Sequence, residues 1–366
     1  MSYRDQTEDI LQKVIAIAKR EGKLTGFCIG NTTKVDAHGL FFSPIRNTRQ
    51  LVAGSVIVYE AHHSEEIARI VDGRVQYILV DTEKKIGPDP KTSYGIGDMG
   101  NIEGAVRDTI QYSTLLTYKG NDLTVNSIDC VLSQLVTSPM QSMGGKKIAI
   151  IGAGNLGAKL ALKLVERGAH VVITRRDKKK LDTIVQALNY IKPRNTVAVI
   201  EGTTDNELAA QDAHLLVGMA VGPPVITETM VSSLSKNAII MDGGKGCLHP
   251  LAIQRAQQRQ LKIFRVDIRA GFEGEVAMLL ETHRSIKHTV GRRQCNEISI
   301  VSGGLFAWEN EIVVDSILHP TTIFGVADGQ GDFVRQLSQE QTKNMERLSE
   351  LISSKSIVEC LDTPTT

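Results

Sequence analysis

IAIIGAGNLGAKLALKLVERGAHVVITRR, residues 148–176, decides the fold. The apolar run IAIIG meets Gly152-Ala153-Gly154-Asn155-Leu156-Gly157, passes into an amphipathic helical stretch and ends in a second apolar run, HVVIT (170–174). Strand, glycine-rich turn, helix and strand make one βαβ unit, in which the glycines have separate tasks. Gly152 allows the tight turn, Gly154 lets backbone approach a pyrophosphate, and Gly157 lets helix and strand pack closely. The positive end of the helix, with Asn155 and Leu156 in its first turn, would face the phosphates. A second GxGxxG, Gly95 to Gly100, follows DPKTSY, which is no strand, and is read as loop.

The alternation continues outward. TVAVI (196–200), AHLLVG (213–218), AIIMD (238–242) and KIFRVD (262–267) are strand-like runs separated by helical segments. Near-continuous apolar strands alternating with helices mean a parallel sheet covered on both faces, so 145–290 is expected to be a doubly wound, Rossmann-type dinucleotide domain. At the end of its second strand an NAD-preferring protein keeps an acid for the ribose 2′-hydroxyl. Twenty-two residues on from Gly152 stands Thr174, followed by Arg175 and Arg176 with no acid. Guanidinium forks suit a 2′-phosphate, so the expected cofactor is NADP. Lys178, Lys179 and Lys180 read as the solvated start of a helix capped by Asp177. Ala220, Val221 and Gly222 after the fourth strand, and Gly243 after the fifth, are further candidates for cofactor contact.

The chain has 366 residues, enough for about two domains, and the composition is that of a globular protein, with 42% hydrophobic and 23% charged residues. A formal net charge of +1 gives no global field for nucleic acid or membrane, so any anion site must be local. Five widely spaced cysteines without a CxxC pair argue against a disulfide framework and a structural zinc, and for a reducing compartment. The N-terminal stretch has helical periodicity at Ile10, Leu11, Val14, Ile15 and Ile17, and no apolar run reaches the roughly 20 residues of a membrane span. A cytoplasmic location, a small-molecule substrate and no nucleic-acid or membrane partner are expected; a homodimer is left open.

The first domain, 1–140, is read as a small α/β layer: strands at 25–30, 55–60 and 75–81, a helix at 64–71, a loop at 86–101, and helices around 102–117 and 123–136. TSPMQSMGGKK (137–147) has the composition of an inter-domain connection. In the tail, 291–335 is an extension in which EISIVSGG and NEIVVDS can pair as strands. A helix at 339–354, within about 336–360, is expected to return onto the first domain. His62-His63 lacks further ligands at metal spacing and reads as loop, His38 and His249 lie in loops, and Cys28 reads as a half-buried structural residue.

Ile29-Gly30-Asn31-Thr32, His38 and Ser43-Pro44 resemble the opening of shikimate and quinate dehydrogenases, which run G-N-P and then H-S-x-S-P. The resemblance implies that Ser43 holds a substrate carboxylate. It further implies a lysine after the third strand, here Lys84 or Lys85, as acid–base partner of the Asp in an N-T-D-G stretch. That stretch is matched by Asn126-Ser127-Ile128-Asp129, with Asp129 23 residues before Gly152. Asn31 and Asn126 would orient the substrate. A lysine beside a carboxylate can pass a proton to a reacting oxygen or nitrogen as hydride moves. The second domain is also similar to methylene-tetrahydrofolate dehydrogenases, through AAQDAHLLVGMAVGPPVITETMV, NAIIMDGG and Gly274-Glu275-Val276. The implied activity is hydride transfer between NADP(H) and a small polar carboxylate-bearing substrate. The alternatives are an imine (CH–NH) or methylene-carrier dehydrogenase and a non-catalytic NADP sensor.

Overall fold

A computed structural model describes residues 2–32, 40–92, 102–136 and 142–354. His38, the second GxGxxG and the start of the connection at 137–141 lie outside them. The chain divides into two units, 1–276 and 277–366.

The first unit opens with α1 (Tyr3–Glu21), started by a capping box between Ser2 and Asp5 and stopped at Gly22, whose φ of +64° suits glycine. A five-stranded sheet follows: β1 (Leu24–Asn31), β2 (Leu40–Asn47), β3 (Leu51–Val58), β4 (Tyr77–Asp81) and β5 (Thr114–Tyr118). Its order is β2-β3-β1-β4-β5, with β2 antiparallel to β3 and the other pairs parallel. Phe27, Ile29, Val56, Val58, Ile78 and Val80 form a core with Leu11 of α1, Ile67 of α2 (Ala61–Val71) and Ile102 of α3 (Ile102–Arg107).

Two elements differ from the sequence reading. The helix expected over 102–117 stops at Arg107, and 114–118 is the edge strand β5. The Asp72 carboxylate accepts from the backbone N–H groups of Gln111, Tyr112 and Ser113, which turns the chain and makes helix impossible there. The edge strand β2 has no counterpart in the sequence reading, because Pro44 sits inside it. An extra residue between Ser43 and Arg46 makes a β-bulge, where a proline without N–H costs no ladder bond. The bulge brings Ser43 opposite Ser55 and Arg46 opposite Ala53, so both side chains fall on one face of the sheet.

α4 (Gly120–Leu135) leads into a six-stranded parallel sheet: β6 (Lys147–Ile151), β7 (His170–Thr174), β8 (Ile200–Thr203), β9 (Leu215–Gly218), β10 (Ile239–Asp242) and β11 (Lys262–Arg265). Its order, β11-β10-β9-β6-β7-β8, is the doubly wound Rossmann order with the direction switch between β6 and β9. Both faces are covered, one core built around Ile148, Ile150 and Leu164, the other around Ala149, Leu216 and Ile240. α4 adds Val125, Ile128 and Leu132 to the first of these, so it packs on the nucleotide-binding sheet beside α5 (Asn155–Glu166). The remaining crossovers are α6 (Lys178–Ile191), α7 (Asn206–Ala210), α8 (Glu228–Ser233) and α9 (Pro250–Gln258), and α10 (Arg269–His288) begins in this unit.

The second unit is a four-stranded sheet, β12 (Gly291–Cys295), β13 (Ile298–Ser302), β14 (Ile312–Val314) and β15 (Ile323–Val326), with α11 (Gln339–Ser353). The two tail runs do pair, in parallel, as β13 and β14. α11 places Met345, Leu348 and Leu351 in the core of this small sheet. Cys295 is disulfide-bonded, of which the cysteine spacing gave no sign; Cys28, Cys130 and Cys247 are free. Among the described residues no helix is long and apolar enough to cross a membrane.

Candidate active site at the phosphate loop

Between β6 and α5 the loop has the shape its sequence demands. Gly152 takes φ +115°, and a Cβ there would lie 2.8 Å from the Ala220 nitrogen, so the loops after β6 and β9 abut. A Cβ on Gly157 would overlap the Gly152 carbonyl oxygen. Gly154, the N-cap of α5, is different: among the described residues nothing lies within 4 Å of a Cβ built there, and no side chain caps the helix. An uncapped helix N-terminus with open space at its glycine is a fit for a pyrophosphate. Thr174 is buried and its carbonyl accepts from Ala153 N–H at 2.7 Å. Arg175 folds back, Nη1 donating to the Ala153 carbonyl at 2.7 Å, while Arg176 is exposed. Asp177 caps α6, Lys178 pairs with Asp182 and Lys180 with Asp177, which is the solvated-face arrangement for those lysines. Ala220, Val221 and Gly222 line the next loop, with Val221 exposed. Gly243 is held by its neighbours: its N–H donates to the Gly218 carbonyl at 2.9 Å, and Met219 and Ile128 fill the space beside it.

Opposite the helix-covered face of the first sheet, register places Cys28, Ser43, Arg46, Ser55, Asp81 and Tyr118 on one side. At the end of β4 the Lys85 ammonium donates to Asp81 Oδ2 at 2.5 Å and lies 3.1 Å from Glu83 Oε2. Lys84 is exposed. Gly120 starts α4 against this pair, where a Cβ would lie 2.6 Å from Asp81 Oδ2 and 3.0 Å from Lys85 Nζ. The next two residues reach across to α5. Asn121 Nδ2 donates to Asn155 Oδ1 at 3.1 Å, and Lys159 donates to Asp122 at 2.6 Å and to Glu83 at 3.3 Å. Burial works against the charged form of Lys159, but Asp122 and Glu83 outweigh it and hold the ammonium above its ordinary pKa.

Two candidate substrate residues carry buried polar atoms that have no hydrogen-bond partner among the described residues: Asn31 Oδ1 and Ser43 Oγ. Buried groups left so need a reason, and a ligand is one. Asn126 is half-buried on α4. Asp129 is not brought to either lysine. Arg167, just past α5, holds both its oxygens, Nε at 2.7 Å and Nη2 at 2.8 Å. It stands eight residues beyond Asn121, about 12 Å along the helix at 1.5 Å per residue.

Sequence reasoning missed Asn121, Asp122, Tyr118 and Glu275. Burial, then the neighbouring Cys28 and the Asp81 carboxylate, pushes the Tyr118 phenol well above its ordinary pKa. Burial and the nearby Asp122 raise the Glu275 carboxyl, which also acts on Tyr118. A strand running directly into Lys-Gly-Asn-Asp is the signal that would have found the first pair. Burial pushes Cys28 up to about 12, which makes it an unreactive thiol. His249 is exposed at the N-cap of α9. His62 and His63, read as lacking ligands, have Glu60 within ligand-cluster distance, but His62 Nδ1 is already 2.7 Å from Asp89.

Residues 147–244 match the family model described as NADP oxidoreductase coenzyme F420-dependent. No curated protein matches the chain. Among solved structures, L-tryptophan dehydrogenase from Nostoc punctiforme is 14% identical with a TM-score of 0.41, over 72% of this chain and 75% of that one. A dipicolinate synthase polypeptide from Bacillus halodurans is 11% identical with a TM-score of 0.35, over 71% and 97%. Ornithine carbamoyltransferase from Pyrococcus furiosus is 12% identical at 0.40, over 75% and 93%. TM-scores this low carry no argument about activity. The family match and the strand order together define the class: an α/β protein whose six-stranded sheet is a Rossmann-like NAD(P)-binding domain, similar over 147–244 to that of NAD(P)-dependent oxidoreductases.

Proposed function

We propose that the protein is an NADP(H)-dependent dehydrogenase or reductase of the shikimate dehydrogenase-like group, acting on a small polar carboxylate-bearing substrate at a CH–OH or CH–NH centre. The observation that carries this is the contact of Asn121 with Asn155, which sets the Lys85–Asp81 pair beside the open, uncapped start of α5. Bound NADP(H) would supply or accept the hydride; Gly154, Asn155 and Leu156 would hold its phosphates and Arg175 with Arg176 its 2′-phosphate. Lys85 has three N–H donors and commits two to Asp81 and Glu83, leaving one to hold or protonate the reacting oxygen or nitrogen. Asn31 and Ser43 offer buried oxygens that have no partner among the described residues to substrate hydroxyl or ammonium groups. Asp129 serves the α4–α5 contact in this reading, and proton work passes to Lys85 with Asp81.

The test is a pair of assays on one variant. Lys85→Met should keep NADPH affinity, read by fluorescence titration, and lose turnover against a panel of hydroxy acids, and of keto acids with ammonia. Wild-type turnover in that variant overturns the role of Lys85. NADPH binding without turnover of any panel member by the wild type would favour the sensor.

A further inference from the structure

The bulge at Pro44 has a consequence for charge. Arg46 leaves the sheet on the same face as Ser43, and its guanidinium lies over the Phe272 ring of α10, 5.4 Å from the centroid. Among the described residues it makes no ion pair. It borders a cavity of about 830 Å3 whose other cations are Arg49, Lys245, Arg265 and Arg269. The acids there, Asp267 and Glu273, are spent: Asp267 accepts from Arg269 Nε at 2.6 Å, and Glu273 accepts from the Arg49 N–H at 3.1 Å. Arg265 also pairs with Asp242 at 3.4 Å; with that acid counted, five cations still face three acids, which leaves the cavity electropositive in a chain of net charge +1. Lys245 and Arg265 lie at the ends of β10 and β11, so the cavity opens at the carboxyl ends of the strands beyond the direction switch, where ligands of doubly wound sheets lie. Phe272, which lines the cavity, stands one turn from Glu275 on α10.

We infer that this cavity is an anion subsite in which Arg46, seated on Phe272 and turned inward by the Pro44 bulge, binds a carboxylate or phosphate group of an organic ligand. The inference rests on the reading of the adjoining cleft as the substrate site and adds the residue that selects for an anionic end. The cavity has the volume of an organic ligand, larger than a lone inorganic ion needs. A guanidinium stacked on an aromatic ring keeps its planar edge for bidentate contact with a carboxylate or phosphate, which a lysine cannot reproduce. Arg46 also acts electrostatically on Cys28, Tyr118 and Asp267, as expected of a charge that reaches across the face of the sheet.

The full chain is titrated calorimetrically with succinate and, separately, with inorganic phosphate, each with acetate as a control, and NADPH affinity is measured in parallel. The wild type should bind succinate or phosphate more tightly than acetate; which of the two binds names the carboxylate or the phosphate source. Arg46→Met should weaken that binding about tenfold to a hundredfold. Arg46→Lys, the milder change, should weaken it severalfold and serves if the first variant does not fold. NADPH affinity should stay unchanged in both. The inference is overturned if neither anion binds the wild type, or if both variants bind as the wild type does. Anion binding without NADPH binding would strike the proposed function and leave this subsite standing.

Discussion

Gly154→Ala separates the loop's binding task from its folding task. The residue takes φ −89° and ψ −162°, extended backbone open to any amino acid, and no atom of the described residues lies within 4 Å of the added Cβ. The fold should therefore tolerate alanine, gaining about 0.4–1 kcal/mol from the lowered entropy of the unfolded chain. In the bound state the methyl group would occupy the space the pyrophosphate needs. Losing one charge-assisted hydrogen bond of about 1.5–3 kcal/mol corresponds to a tenfold to hundredfold weaker affinity. NADPH fluorescence titration and a thermal melt on the same sample read the two effects apart. Gly157→Ala is the contrast, since its Cβ would overlap the Gly152 carbonyl and overpacking costs about 1–3 kcal/mol. Wild-type NADPH affinity in Gly154→Ala would refute the claim that this loop holds phosphates. A large loss of stability in that variant would refute the open space.

Arg175→Asp with Arg176→Ser should weaken NADPH at least about tenfold more than NADH in paired titrations, whereas equal losses would return both arginines to the solvated face. Asp129→Asn should lower stability by about 1–3 kcal/mol in chemical denaturation, by breaking the Arg167 pair, with NADPH affinity unchanged; a loss of turnover at unchanged stability would restore a chemical role. Glu275 has a raised folded-state pKa, so the native state binds its proton more tightly, and this site costs stability as pH climbs from the ordinary carboxyl value of 4.5 to the folded one. Glu275→Gln should then match the wild-type melting temperature at low pH and exceed it near neutrality. Parallel melting curves across pH would exclude that cost.

The nucleotide-binding half was legible because its signals are local. Apolar runs of four or five residues, a glycine turn and amphipathic spacing each lie within a single βαβ unit, and the six runs became six parallel strands, with only 196–200 displaced to Ile200–Thr203. The first half turns on distant contacts. Asp72 converts the end of an expected helix into β5 from 39 residues upstream of Gln111, a separation to which periodicity is blind. The bulge at Pro44 moves Arg46 to the other face of the sheet, and strand alternation without it would have pointed Arg46 into the helix-covered core. Lys84 and Lys85 are neighbours in sequence, and only the position of Asp81 separates them.

The candidate aspartate shows how helix phase decides what spacing cannot. α4 and α5 run side by side with their N-termini together, tied at Asn121–Asn155, Asp122–Lys159 and Asp129–Arg167. Sequence pattern favours the last tie, because Asn126 to Asp129 has the better motif, but each residue along α4 carries its side chain 1.5 Å further from the phosphate loop. The first tie lies at the loop itself. The outer tie, with its two-toothed guanidinium contact, fixes the register of the two helices, and that register holds Asp122 and Lys159 against Glu83 at the end of β4. An aspartate remote from the chemistry thus has a reason to matter: sliding α4 by one turn would carry Gly120 off the Lys85–Asp81 pair and uncouple the charged cluster from the start of α5.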